Sequence, residues 1–186
     1  AQPLIYLTAL SRGYNAATLT MDIPTIYLQD GRPYAPRNND GLYLGPLRLR
    51  EALAAGRNVP ALQVFSWVGA GRVLETARAL GLEPPAGTAA PDLSFPQQGF
   101  PATLLDLGRA LAAVGNGGVM TGIALDDETP RPATIRRVVG GGGDTFYSYD
   151  PATRETLSPE LAYLLADMLN DSDPSCPSGT CASAVS

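Results

Sequence analysis

A domain of mixed helix and strand is predicted, a helical cluster that carries one β-hairpin. Three observations predict it. Apolar residues recur at three- and four-residue spacing in successive segments. Two short β-prone runs, Ala133 to Val139 and Thr145 to Tyr149, flank the glycine run Gly140 to Gly143. The 186 residues are 45% hydrophobic, which suits one domain with a real core.

The elements follow in chain order. Leu4 to Arg12 reads as the end of a helix stopped by Gly13. Residues 22–46 hold Pro24, Gly31, Pro33, Pro36, Gly41, Gly45 and Pro46, and are expected to run as an extended, turn-rich excursion. A helix is expected over Leu47 to Ala55, with Leu49, Ala52 and Leu53 on one face. Asn58-Val59-Pro60 has the form of a helix start, asparagine as cap and proline in the first turn. Val64, Phe65, Trp67 and Val68 follow on its inner side, and Gly69 and Gly71 are read as breaks.

The next helix points Val73, Leu74, Ala77 and Leu80 inward before Gly81, and residues 83–101 read as a Pro/Gly/Ala loop. Pro101 opens a helix whose Leu104, Leu107, Leu111 and Val114 form an inward stripe, ending at Gly115-Asn116-Gly117-Gly118. Ser158-Pro159-Glu160 starts the last helix, with Leu161, Leu164, Leu165, Met168 and Leu169 in helical register. The boundaries expected are one domain over 1–170 and a polar, mobile tail over 171–186.

Composition excludes much chemistry. All thirteen cations are arginine, and there is no lysine and no histidine. No imidazole means no Ser-His-Asp or Cys-His catalysis and no histidine metal site. No lysine means no Schiff base, no lysine general base and no P-loop lysine. The net charge of −5 argues against a basic nucleic-acid surface, so no nucleic-acid partner is expected. No run approaches the roughly 18 apolar residues of a spanning helix. The chain opens within an apolar segment, Pro3 to Leu7, without a visible leader, and reads as cut from something longer. Cys176 and Cys181 flank Pro-Ser-Gly-Thr, and either close a small disulfide loop in an oxidising compartment or stay as free thiols in the tail. Asp126-Asp127-Glu128 reads as a solvated loop, since metal cages space their oxygen ligands.

The order of blocks resembles the transpeptidase domain of bifunctional penicillin-binding proteins. Gln2-Pro3-Leu4-Ile5-Tyr6 is similar to the lysine-proline-aromatic-x-tyrosine stretch that follows the family nucleophile. Tyr34-Ala35-Pro36-Arg37-Asn38 resembles a tyrosine-x-proline-x-asparagine loop. Gly45 through Leu53 resembles the glycine-x-x-threonine-x-arginine-glutamate-alanine-leucine helix, and Asn58-Val59-Pro60-Ala61 the segment closing the second motif. Leu104 through Gly118, the hairpin, and Leu157 through Leu164 complete an order that spans nearly the whole chain.

That resemblance implies an α+β fold of the β-lactamase/transpeptidase type, with the strands that bear the catalytic motifs incomplete in this chain. It implies acyl transfer from D-alanyl-D-alanine stem peptides by a serine three residues before a lysine, aided by serine-x-asparagine and lysine-threonine-glycine motifs. It implies no cofactor and no metal. The partners it implies are a stem peptide or a β-lactam, and a protein partner or further segments that complete the sheet. Membrane attachment would come only through absent sequence, and the location implied is extracytoplasmic. The family lysine position is Gln2, the second-motif serine position is Gly56, and only Asn58 keeps its type. Ala184-Val185-Ser186 is a weak match to the lead-in of the third motif. No catalytic residue is therefore intact at these positions, and the substrate-binding candidates are Asn58, Tyr34 and Asn38.

Two classes of function stand side by side: a peptidoglycan transpeptidase domain, degenerate or partial, and a non-catalytic binding or scaffolding pseudoenzyme module in cell-wall assembly. An unrelated helical interaction domain is the plain alternative. Plain readings also stand beside each candidate. Asn58 serves as a helix cap, Arg57 as a solvated cation, Gln2 as an exposed amide, and Trp67 with Phe65 as core.

Overall fold

The computed structural model describes residues 1–85, 91–123 and 130–171. At its centre lies α1 (Gln2–Ser11), whose Ile5, Tyr6, Leu7 and Ala9 are wholly buried. A helix apolar on every side has no face for water, so neighbours must surround it. It packs against α2 (Leu49–Ala54), α3 (Asn58–Val68), α4 (Ala70–Ala79), α5 (Phe95–Gln98) and α7 (Pro159–Leu169). The sixth helix, α6 (Leu104–Gly115), lies on α7. Thr8 donates to Thr76 at 2.8 Å, joining α1 to α4. Arg50 holds Asp167 at 2.7 Å and Asp171 at 2.9 Å, joining α2 to the end of α7.

Strands form four two-stranded antiparallel sheets among the described residues, where the sequence suggested a single hairpin. The turn-rich excursion is closed at its base by β1 (Leu19–Asp22) on β4 (Gly45–Arg48), and carries the small hairpin β2 (Tyr27–Gln29) and β3 (Arg32–Tyr34). β5 (Val119–Gly122) pairs with β8 (Ala152–Glu155). Between them stands the expected hairpin, β6 (Arg137–Val139) on β7 (Thr145–Ser148), its first strand beginning at Arg137 rather than at Ala133. Gly140 lets the Phe146 ring lie over the turn, because any Cβ there would collide with it.

Several local expectations need correction. The helix expected over Leu47 to Ala55 begins at Leu49, because Leu47 is spent in β4 opposite Thr20. The Glu51 carboxylate accepts the Arg48 N–H at 2.8 Å and fixes that start. Only Gly69, at φ +81°, breaks the chain; Gly71 lies inside α4. Leu74 is half-buried rather than inward. The loop over 83–101 contains α5, whose Phe95 is buried and stacks on Phe65 at 5.4 Å. Trp67 is half-buried and stacks on Tyr14 at 5.4 Å, so the pair with Phe65 is core as read.

The largest correction concerns α6. Thr103, not Pro101, opens this helix by accepting the Asp106 N–H. Its buried face is Ala110, Ala113 and Val114, while Leu104, Leu107 and Leu111 point outward, Leu104 at 84% exposure. Two stripes of helical period coexist on this helix, and the small alanine face makes the close approach. The tail from 172, with Cys176, Cys181 and the Ala184-Val185-Ser186 match, and the acidic triplet Asp126-Asp127-Glu128 lie outside the described residues.

Candidate functional site

The first turn of α1, the junction of α2 with α3, and the loop over residues 35–44 meet at one place. Gly56, at φ +60°, turns the chain out of α2 in a conformation that favours glycine. This delivers Arg57 and Asn58 to the start of α3. The Gln2 amide reaches across 56 residues: its Nε2 donates to Asn58 Oδ1 at 3.0 Å and to the Gly56 carbonyl at 3.4 Å. Thus the sequence-predicted positions Gln2, Gly56 and Asn58 do come together, joined by a neutral amide. Gln2 is half-buried, so the plain reading of an exposed side chain fails.

Asn58 is not the helix cap. It is the first residue of α3, and its Nδ2 donates to the Arg37 carbonyl at 3.1 Å and to Asn39 Oδ1 at 2.9 Å. The capping is done from a distance by Asn38, whose Oδ1 accepts the Val59 N–H at 3.1 Å. Asn38 Nδ2 donates to Asp22 at 2.6 Å and to the Leu42 carbonyl at 2.8 Å. Buried, with both its N–H groups spent inside the protein, Asn38 holds the loop and offers a ligand no donor. Tyr34 lies apart in β3, packed at the edge of the core, and makes no side-chain hydrogen bond to this cluster. Burial, then nearby Asp92, raise its phenol above the ordinary value. The candidates therefore divide: Gln2, Gly56, Asn58 and Asn38 converge, and Tyr34 does not.

Arg57 is the residue the sequence misjudged most. It is buried, not solvated. Its Nε donates to Asp22 at 2.8 Å, its Nη1 to Asp40 at 2.7 Å and its Nη2 to the Leu42 carbonyl at 2.5 Å. Asp22 is fully buried and also accepts the Leu44 N–H at 3.1 Å. Burial pulls the Arg57 pKa down, but its hydrogen bonds to Asp40 and Asp22 outweigh that and leave it raised. The same Arg57 hydrogen bond, with the Leu42 N–H behind it, holds Asp40 below the usual carboxylate range. This clamp fixes the loop over 35–44 to the start of α3. Asp22 and Asp40 went unnoticed in the sequence because an aspartate in a proline- and glycine-rich stretch reads as turn chemistry.

Chemically the cluster supplies hydrogen bonds and no proton acceptor matched to neutral pH. Gln2 Nε2 is committed inward, its Oε1 makes no hydrogen bond among the described residues, and an amide is no base. Among the described residues no group of histidine, cysteine and carboxylate side chains is arranged to hold a metal. No helix of the described residues is long and apolar enough to cross a membrane.

No family model matches the chain. Curated relatives do. The chain is 26% identical over 171 residues to penicillin-binding protein 2D of Bacillus subtilis, covering 90% of this chain and 23% of that protein. It is 29% identical over 164 residues to penicillin-binding protein 1A of Clostridium tetani, covering 84% and 19%. Among solved structures, penicillin-binding protein 1A of Haemophilus influenzae superposes with a TM-score of 0.82 at 20% identity, over 97% of this chain and 30% of that one. Penicillin-binding protein A of M. tuberculosis, solved as an imipenem acyl-enzyme complex, gives 0.73 at 22% identity, over 90% and 41%.

The fold is thus that of the penicillin-binding, β-lactamase/transpeptidase type. Over most of its length the chain is similar to penicillin-binding proteins, and it spans about a fifth of the length of the curated relatives it matches.

Proposed function

We propose that this domain serves peptidoglycan assembly on the extracytoplasmic side as a non-catalytic module, binding stem peptides without acylating itself. The observation that carries the reading is the Gln2–Asn58 hydrogen bond at 3.0 Å. In the family motif a lysine amine at this position takes the nucleophile's proton. A glutamine amide keeps the contact to the second-motif asparagine and loses the base. Gly56 at the second-motif serine position removes the hydroxyl that would relay protons. Both changes lie within the chain, so the reading holds whichever residue precedes Ala1.

A scaffolding role is the second reading, and a specific observation favours it. The outer face of α6, with Leu104 at 84% and Leu105 at 61% exposure, is apolar and uncovered among the described residues.

Intact-mass spectrometry with a broad β-lactam tests the proposal. The expected result is an unchanged mass near 19.4 kDa for the 186 residues. A stoichiometric adduct would overturn it, and mapping the adduct would identify an activated serine. Steady release of D-alanine from D-alanyl-D-alanine peptides above a heat-treated control would overturn it as well.

A further inference from the structure

We propose that the outer face of α6 is a dimer interface, packing antiparallel against α6 of a second copy of this chain. Leu104, Gly108, Leu111 and Gly115 follow one another at spacings of four, three and four residues, so they share one stripe of the helix. All four are exposed. The stripe therefore alternates a large side chain with none. Beside Gly108 lies an apolar hollow of about 720 Å³, whose walls include Leu105, Ala112, Met120 and Pro132.

That alternation selects the partner. When two copies of a helix pack antiparallel about a two-fold axis, the order of the seam positions is reversed. Leu104 then meets the partner's Gly115, and Leu111 meets the partner's Gly108. Every leucine faces a hole, and the backbones approach closely. In a parallel pair each leucine would meet its own copy and each glycine its own, leaving crowded layers and gaps in turn. This one helix thus carries both knob and hole, in the order that its own reversed copy requires.

Electrostatics agrees. Each copy carries a net charge of −5, so a contact between copies has to fall where no ionised group stands. Leu105, Leu107 and Ala112, the exposed residues that flank the stripe, are uncharged as well. Asp106 lies on the far side of the helix by its position and is paired with Arg109 at 3.3 Å. One 12-residue helix from each copy makes a small interface, so the dimer is weak. It needs neither stem-peptide binding nor a catalytic residue, and its failure would leave the proposed function standing.

Sedimentation velocity over micromolar to millimolar concentrations is the test. The mass of the unmodified chain should rise from 19.4 kDa toward twice that value, while L104E/L111E stays at the monomer mass. G108L separates a packed seam from general apolar adhesion. A Cβ at Gly108 meets nothing within 4 Å in the monomer, so G108L should fold and melt as the unmodified chain does. It adds apolar surface but fills the hole for the partner's Leu111, and dimer affinity should fall about tenfold. Orientation is read by oxidative cross-linking in a C176S/C181S background. L104C/G115C should give a covalent dimer and L104C alone should not, because the two copies of residue 104 stand at opposite ends of the paired helices.

A monomer at every concentration overturns the proposal. So does a G108L chain that dimerises as well as the unmodified one or better, and so does a covalent dimer from L104C alone.

Discussion

Gln2 and Asn58, 56 residues apart, are joined by a 3.0 Å hydrogen bond from one side-chain amide to the other. This contact ties the first turn of α1 to the start of α3 through two neutral amides. Each amide also holds a second partner, so the Asn58 side chain is fixed in orientation. Replacing Gln2 by leucine leaves Asn58 Oδ1 without its donor, at a cost of about 1 kcal/mol. The expected outcome is a modest fall in denaturant midpoint together with faster hydrogen exchange of the Asn58 side-chain amide.

The Arg57 clamp is the interior feature most sensitive to mutation. R57L removes one partner of a buried pair and strands the fully buried Asp22 carboxylate. Losses from breaking such pairs are of order 3–5 kcal/mol, because the remaining charge stays desolvated. Urea denaturation at unchanged slope should report a shift of that size. The double variant D22N/R57L should recover much of it, since neither charge then remains buried.

Acid sensitivity follows from Asp40. Its pKa is lowered in the folded protein, chiefly by the Arg57 hydrogen bond. A depressed carboxylate stabilises the fold above its unfolded pKa, and that contribution is lost as pH falls through the folded value. With no histidine in the chain, the main fall in stability should lie in the carboxylate range, and between about pH 6 and 8 only the Ala1 amine, lowered by burial, should add a small rise with pH. Thermal melts across pH should show that profile, with a shallower acid fall in D40N. A step between pH 6 and 7 as large as the acid fall would contradict it.

Gly118 is predicted to accept no side chain. Its φ is +88°, a Cβ there would run into the Leu157 carbonyl, and its own carbonyl accepts the Thr156 N–H at 2.8 Å and the Leu157 N–H at 3.2 Å. G118A must therefore strain the backbone and separate β5 from β8, at a cost of about 1–3 kcal/mol. Limited proteolysis should cut first within residues 118–156. G117A, at a position with open space around it, should cost less.

The outer face of α6 yields a prediction of opposite sign. Leu104 and Leu111 are 84% and 48% exposed. The pair of changes L104E/L111E should leave the melting temperature nearly unchanged, as surface substitutions do, and reduce concentration-dependent light scattering. A large loss of stability would show that these leucines are covered in solution.

What was legible in the sequence was what near neighbours along the chain decide. Ser158 caps α7 as its position before Pro159 indicated, and the Gly140 to Gly143 turn closes the expected hairpin. The absence of lysine and histidine fixed which bases the chain does not have, independent of any fold. The block order singled out Gln2, Gly56 and Asn58, which the fold brings together. Tertiary structure alone decided the rest. Arg57 looked like a solvated cation because its partners lie 35 and 17 residues back, at Asp22 and Asp40. Asn58 looked like a cap because local geometry allowed it, until Asn38 took that bond from across the loop. On α6 the periodicity offered two stripes, and packing against α7 chose the alanines because small side chains admit the closest approach. Pattern along a chain sets which faces and donors exist; which of them are buried or spent depends on contacts between distant segments, and local propensity carries no record of those.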